Sequence, residues 1–152
     1  MKVTMLLADS VQAVGGKLYI LGGGWSVTGP PAQFGIAILI EIPWDQTNQK
    51  HPWKLELLDS DGAGVLVQTP AGEQPLVFQG ELEVGRPPGL RPGTPIAVPL
   101  AINLAPLPLA PSSRYEWRLS IHGQTDENWR VTFSTRSAEE QRQLGGQPPD
   151  RV

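Results

Sequence analysis

Cysteine is absent, so the chain can form no disulfide and offers no thiolate to a metal. The same absence suits a reducing compartment, and a cytoplasmic location is the expectation. Histidine is nearly as scarce, with only His51 and His122, well separated in the chain. Zinc needs three or four ligands at fixed spacing, and no such set is visible. No apolar run approaches the ~20 residues of a membrane span. The first apolar stretch, residues 3–8, meets Asp9 too early for a signal peptide. Basic residues are not in excess either. Lys and Arg number 12 against 15 Asp and Glu, giving a net charge of -3 scattered in mixed sign. Nucleic-acid binding needs a clustered basic face. Neither nucleic acid nor a membrane is expected as a partner.

What the chain does have is punctuation. Gly 17 and Pro 16 interrupt short stretches in which apolar and polar residues alternate, the pattern of a small all-β domain. Residues 3–8 read as a first strand, Gly15-Gly16 as a tight primed turn, and residues 17–21 as the return strand. Gly22-Gly23-Gly24 then suggests a bulge or sharp bend, and residues 28–33 a loop. In residues 34–42, Ile36, Ile38, Ile40 and Ile42 share one face, with Ala37 and Leu39 on the other. Apolar residues on both faces predict a central strand.

Residues 44–52 read as a polar crossover. Trp53, Leu55 and Leu57 alternate with Lys54 and Glu56, a turn follows at Asp59-Ser60-Asp61-Gly62, and residues 65–69 are expected to pair back. Leu76, Phe78, Leu82 and Val84 keep period two. A proline-stiffened loop, residues 85–95, leads to the alternation from Ile96 to Leu104, where Pro99 places the strand at a sheet edge. The last hairpin turns Tyr115, Trp117, Leu119 and Ile121, then Trp129, Val131 and Phe133, to one side. The expected architecture is an antiparallel β-sandwich, Ig-like or jelly-roll-like, with a closed barrel as the alternative. It occupies residues 1–136. Residues 137–152 form a short helix, started by the Ser137/Glu140 capping box, and a flexible tail.

Motifs that superficially promise chemistry fail on spacing. The glycines at 22–24 lead to Pro30-Pro31 rather than into a phosphate-holding helix. Asp59-Ser60-Asp61-Gly62 opens like a calcium loop, but position twelve is Pro70 where a glutamate is required. Each histidine reads as a solitary polar residue. A Ser-His-Asp hydrolase triad has no nucleophile motif to support it. No catalytic residue, metal or cofactor is assigned.

Four residues remain as candidate binding groups. Trp25 and Trp44 sit at strand ends, where a part-exposed ring can stack on a sugar or anchor a partner. Capping the open end of a sandwich is their plainer role. Arg86 and Arg91 ride on the stiff proline loop and could grip a carboxylate or phosphate at low entropy cost. A solvated loop is the plainer reading there.

Several segments together resemble a bacterial family of small proteins of unknown function. They are Ala8-Asp9, Gly16-Lys17-Leu18-Tyr19-Ile20-Leu21-Gly22, Ile40-Glu41-Ile42-Pro43-Trp44, Gly85-Arg86-Pro87-Pro88-Gly89 and Tyr115-Glu116-Trp117-Arg118-Leu119 with Gly123. The resemblance spans residues 3–135, implies a β-rich domain, and brings no site residues with it. The functional expectation is a non-enzymatic binding or assembly module. Its partner is a protein or a second copy of itself, engaged through sheet edges and the tail, with the Pro99 strand and the N-terminal hairpin as candidate edges. The alternative is a small-ligand or carbohydrate binder using Trp25 and Trp44.

Overall fold

Among the described residues, eleven strands carry the fold: β1 (Lys2–Val14), β2 (Lys17–Gly23), β3 (Val27–Thr28), β4 (Ala32–Ile42), β5 (Lys50–Asp59), β6 (Leu66–Thr69), β7 (Gly72–Pro75), β8 (Val77–Glu83), β9 (Ile96–Leu107), β10 (Arg114–Ile121) and β11 (Arg130–Thr135). A 3-10 turn, Trp44–Gln46, follows β4, and one helix, α1 (Ala138–Gly145), follows β11. The structure is a computed structural model and describes residues 1–29 and 31–145. The expected tail, residues 147–152, lies outside the described residues.

One sheet runs β2-β1-β4-β9 and a second runs β3-β11-β10-β5-β8, with β6-β7 as a separate hairpin. All pairings are antiparallel except β3 with β11. β4 is central, as its two apolar faces predict. Ile36, Ile38, Ile40 and Ile42 are buried against Leu55, Leu57, Trp117, Leu119 and Phe133 of the other sheet, in one apolar core. Each such side chain withdrawn from water contributes roughly 1.5–3 kcal/mol before entropy is counted. Phe34 lies at the centre of the aromatic packing, edge-on to Trp117 (5.9 Å) and to Phe133 (5.3 Å).

Three local expectations need correction. β1 does not stop at Asp9 but continues to the Gly15-Gly16 turn, whose φ angles of 59° and 75° suit a primed hairpin. Residues 65–69 do not rejoin β5 as a strand. β6 closes on β7, while Val65 and Leu76 alone keep backbone bonds with Leu57. Residues 44–52 are not wholly a crossover, because β5 begins at Lys50 and buries His51. In α1 the reciprocal cap forms as expected: the Ser137 N–H donates to Glu140 Oε2 and the Glu140 N–H to Ser137 Oγ, each at 3.0 Å.

The first sheet also curls. β1 pairs with β4 only as far as Ala8 opposite Gly35, and its second half folds across the outward face of β4 and β9. That face is nearly bare: Gly35, Ala37 and Ala101 carry little or no side chain. Ala8, Val11 and Ala37 form a second small core there, with Leu18 and Ala101 against it.

Candidate interaction edge on the N-terminal hairpin

The hairpin of late β1 and β2 is held by the fold rather than by itself, since an isolated two-stranded hairpin is marginal in water. Asn103 of β9 stands opposite Gly35 of β4 and reaches over it. Its Oδ1 accepts from the Val11 N–H (3.0 Å) and its Nδ2 donates to the Val11 carbonyl (2.8 Å). One carboxamide thus replaces the backbone partner that β1 loses on leaving β4. The approach is close enough to favour glycine. A Cβ at position 35 would stand 3.0 Å from Asn103 Oδ1 and from Val11 Cγ2, and 3.2 Å from the Val11 nitrogen.

At the root of β2, the Gly24 N–H donates to the Leu7 carbonyl (2.7 Å). Trp25 then drops onto Phe34 (5.8 Å) and Phe133 (6.5 Å), edge to face. Of the residues singled out from sequence, Trp25 is therefore an anchor, half-buried with its indole N–H unpartnered.

Between clamp and anchor, β2 is open to solvent. Among the described residues it has β1 on one side and no strand on the other. Val14, Tyr19, Ile20 and Leu21 are exposed to 57%, 54%, 36% and 70%, an unusual concentration of large apolar residues on one hairpin. From the register, Val14, Tyr19 and Leu21 share a face. Sequence reasoning placed this hairpin at an edge but not its apolar exposure. The only signal was Leu18-Tyr19-Ile20-Leu21, apolar on both phases as in a central strand.

Trp44 and Arg86 are brought together at the other end of β4, ~30 Å from Trp25 by strand rise. The Arg86 guanidinium sits 4.3 Å over the Trp44 ring. Its Nε donates to Thr47 Oγ1 (2.8 Å) and its Nη2 to the Trp44 carbonyl (2.7 Å). These bonds use two of the five guanidinium N–H donors and hold the Arg86 head against Trp44 and Thr47. The other side of this corner opens into a hollow of about 550 Å³ that includes Lys2, Glu41, Pro43, Trp44, Asp45 and Pro95. Arg91 is exposed on the loop beyond, and its carbonyl accepts from Thr94. The structure joins Trp44 with Arg86 and leaves Trp25 apart.

The two histidines, read as solitary, in fact meet. His51 Nδ1 lies 2.8 Å from His122 Nε2, and His51 Nε2 lies 2.8 Å from the Gln46 carbonyl. A carbonyl only accepts, so His51 carries its proton on Nε2 and takes a bond from the His122 Nε2–H. The pair ties the 3-10 turn, β5 and the β10–β11 turn together. Among the described residues it donates no bond to a carboxylate that would orient it as a catalytic base. Among the described residues, no three His, Cys, Asp or Glu are gathered as a metal would need.

Comparison with known proteins places the chain. It belongs to a family of unknown function (DUF6941), whose model matches residues 3–134. The match runs from Val3 in β1 to Ser134 in β11 and excludes α1. No curated protein and no solved structure matches.

Proposed function

We propose that this chain is a non-enzymatic protein-interaction module that accepts a strand at the open edge of β2. The observation that supports this reading is the contrast among the sheet edges. β9 carries Pro99 and Pro106, β8 carries Glu81 and Glu83 beside Gln79, and β3 is two residues long. Prolines, charges and shortness are the usual devices that keep an edge from pairing. β2 has one terminal lysine and otherwise apolar residues on both faces. Strand addition draws affinity from main-chain hydrogen bonds and specificity from alternate side chains. The lack of cysteine supports action in the cytoplasm, and the acidic, mixed-sign surface argues against nucleic acid as the partner.

The test is a double substitution, Tyr19→Lys with Leu21→Lys. Both side chains already stand in solvent, so the fold should be kept while the edge is protected. A protein that co-purifies with the wild-type chain should be lost from the variant. Equal retention by both overturns the reading.

A second reading has its own observation, the hollow beside Trp44. Its flat ring, with Glu41, Asp45 and Lys2 nearby, suits a small polar ligand such as a sugar. Quenching or enhancement of tryptophan fluorescence by an oligosaccharide series, abolished in Trp44→Ala, would support it.

A further inference from the structure

We infer that the strand received at the β2 edge is β2 of a second copy of this chain, paired antiparallel about a two-fold axis at Ile20. The inference rests on the strand-addition reading above and names its partner. It starts from the hairpin register. The two-residue Gly15-Gly16 turn makes Val14 opposite Lys17 a hydrogen-bonded pair, and bonded pairs recur at alternate positions. Lys17, Tyr19 and Leu21 therefore spend their N–H and C=O groups on β1. Leu18 and Ile20 turn theirs to the open side, and Gly22, at a φ of 60°, bends the strand beyond them.

An antiparallel copy must set open groups against open groups. Centring the axis on Ile20 sets the open groups of Ile20 against those of its counterpart and brings Leu18 to the bend at Gly22 of the other copy. Tyr19 then stands across from Leu21 of the other copy, an aromatic–aliphatic pair of the kind that stabilises sheets. Bulk meets space as well, since Leu18 is set against a glycine. Moving the axis to Tyr19 sets Lys17 against Leu21 and leaves Gly22 facing the turn. Moving it to Leu21 leaves Leu18 beyond the end of the seam.

Charge agrees with the same register. Lys17, the one charge on β2, comes opposite Gly23 of the other copy. The Asp9 carboxylate lies against Gly22, so each end of the seam gathers Lys17 from one copy and Asp9 from the other. Val14, Tyr19 and Leu21 of both copies fall on one face, and their exposed apolar surface becomes continuous across the seam. Two four-stranded sheets join into one. The contact is narrower than a stable dimer of ~800 Å² per partner, so association should be weak and concentration-dependent.

The absence of cysteine gives a clean test, because any thiol is the one introduced. A bonded antiparallel pair has Cα atoms ~5.5 Å apart, within the roughly 4.4–6.8 Å range that a disulfide spans. Ile20→Cys should form a covalent dimer under mild oxidation. Leu18→Cys should not, its two copies being ~13 Å apart in this register. A mixture of Tyr19→Cys and Leu21→Cys should give mixed dimers well in excess of either homodimer. In sedimentation, the wild-type mass should climb from that of the 16.5 kDa chain toward its double as concentration rises. The double lysine variant should stay monomeric. A wild-type chain that remains monomeric throughout overturns the inference, as does a dimer in which Leu18→Cys cross-links and Ile20→Cys does not. A monomer that still loses a different bound protein in the lysine variant overturns self-pairing and leaves the strand-addition reading standing.

Discussion

Removing the Asn103 carboxamide should loosen the hairpin while sparing the rest of the fold. In Asn103→Ala the Val11 N–H and C=O lose partners at 3.0 and 2.8 Å, and Val11 is 1% exposed. An orphaned buried polar group costs about 1–3 kcal/mol. Asn103 itself faces solvent, so water can follow the side chain out and serve one of the two groups. The expected loss is therefore about 1–3 kcal/mol in all, against an upper figure of about 6 if both stayed dry. For a domain of this size that lowers the melting temperature by roughly 2–10 °C. Amide exchange should quicken in residues 10–21 and stay unchanged in β5 and β10. Gly35→Ala should give the same pattern, because its Cβ would press on the Val11 backbone nitrogen, which cannot rotate away. The two variants act on one contact, so their combined effect should fall short of additive. An Asn103→Ala protein that melts within a degree of the parent, with hairpin exchange unaltered, refutes the clamp.

Trp117→Ala should destabilise by about 3–5 kcal/mol, because the ring is fully buried edge-on to Phe34. Melting within a degree or two of the parent would contradict its place in the core. Trp117→Phe should lose less, since the indole N–H it deletes has no partner. His122→Ala leaves buried His51 Nδ1 without its donor and should lose about 1–3 kcal/mol in chemical denaturation; an unchanged midpoint would show the pair to be idle. Deleting residues 137–152 should leave the melting temperature within a few degrees of the parent, since α1 has no place in the apolar cores, although Gln141 lies against Gly29. A collapse in stability would make the helix part of the fold.

How much of this was legible in the sequence depends on the distance over which each feature is encoded. β4 and the β10–β11 pair were readable because their alternation is written within ten or so consecutive residues. The Gly15-Gly16 turn and the Ser137/Glu140 cap are likewise local. The curl of β1 was not, because it depends on Gly35, Ala37, Ala101 and Asn103, small or polar residues from two strands that become neighbours only in the sheet. The histidine pair spans 71 residues, and nothing near either ring announces the other. Arg86 was singled out for its stiff loop, and the loop does aim it, but at Trp44 and Thr47. The exposure of β2 was hidden for a different reason. Its residues are apolar on both phases, and the physics that buries such a strand at the centre of a sheet also makes it adhesive at an edge.

That ambiguity is informative about how the edge works. Main-chain groups carry most of a strand addition, so no single side chain on β2 should dominate binding. Orientation should matter more. The ordering of β2 is already supplied by the fold: Asn103 fixes one side of β1, the small core of Ala8, Val11 and Ala37 supports its back, and Trp25 pins the root between Phe34 and Phe133. A partner strand therefore meets a template that loses little further freedom on pairing. It follows that Asn103→Ala or Gly35→Ala, neither of which touches the seam, should weaken association at least as much as Tyr19→Ala, which lies in it. If the edge were only a greasy patch, the order would be reversed.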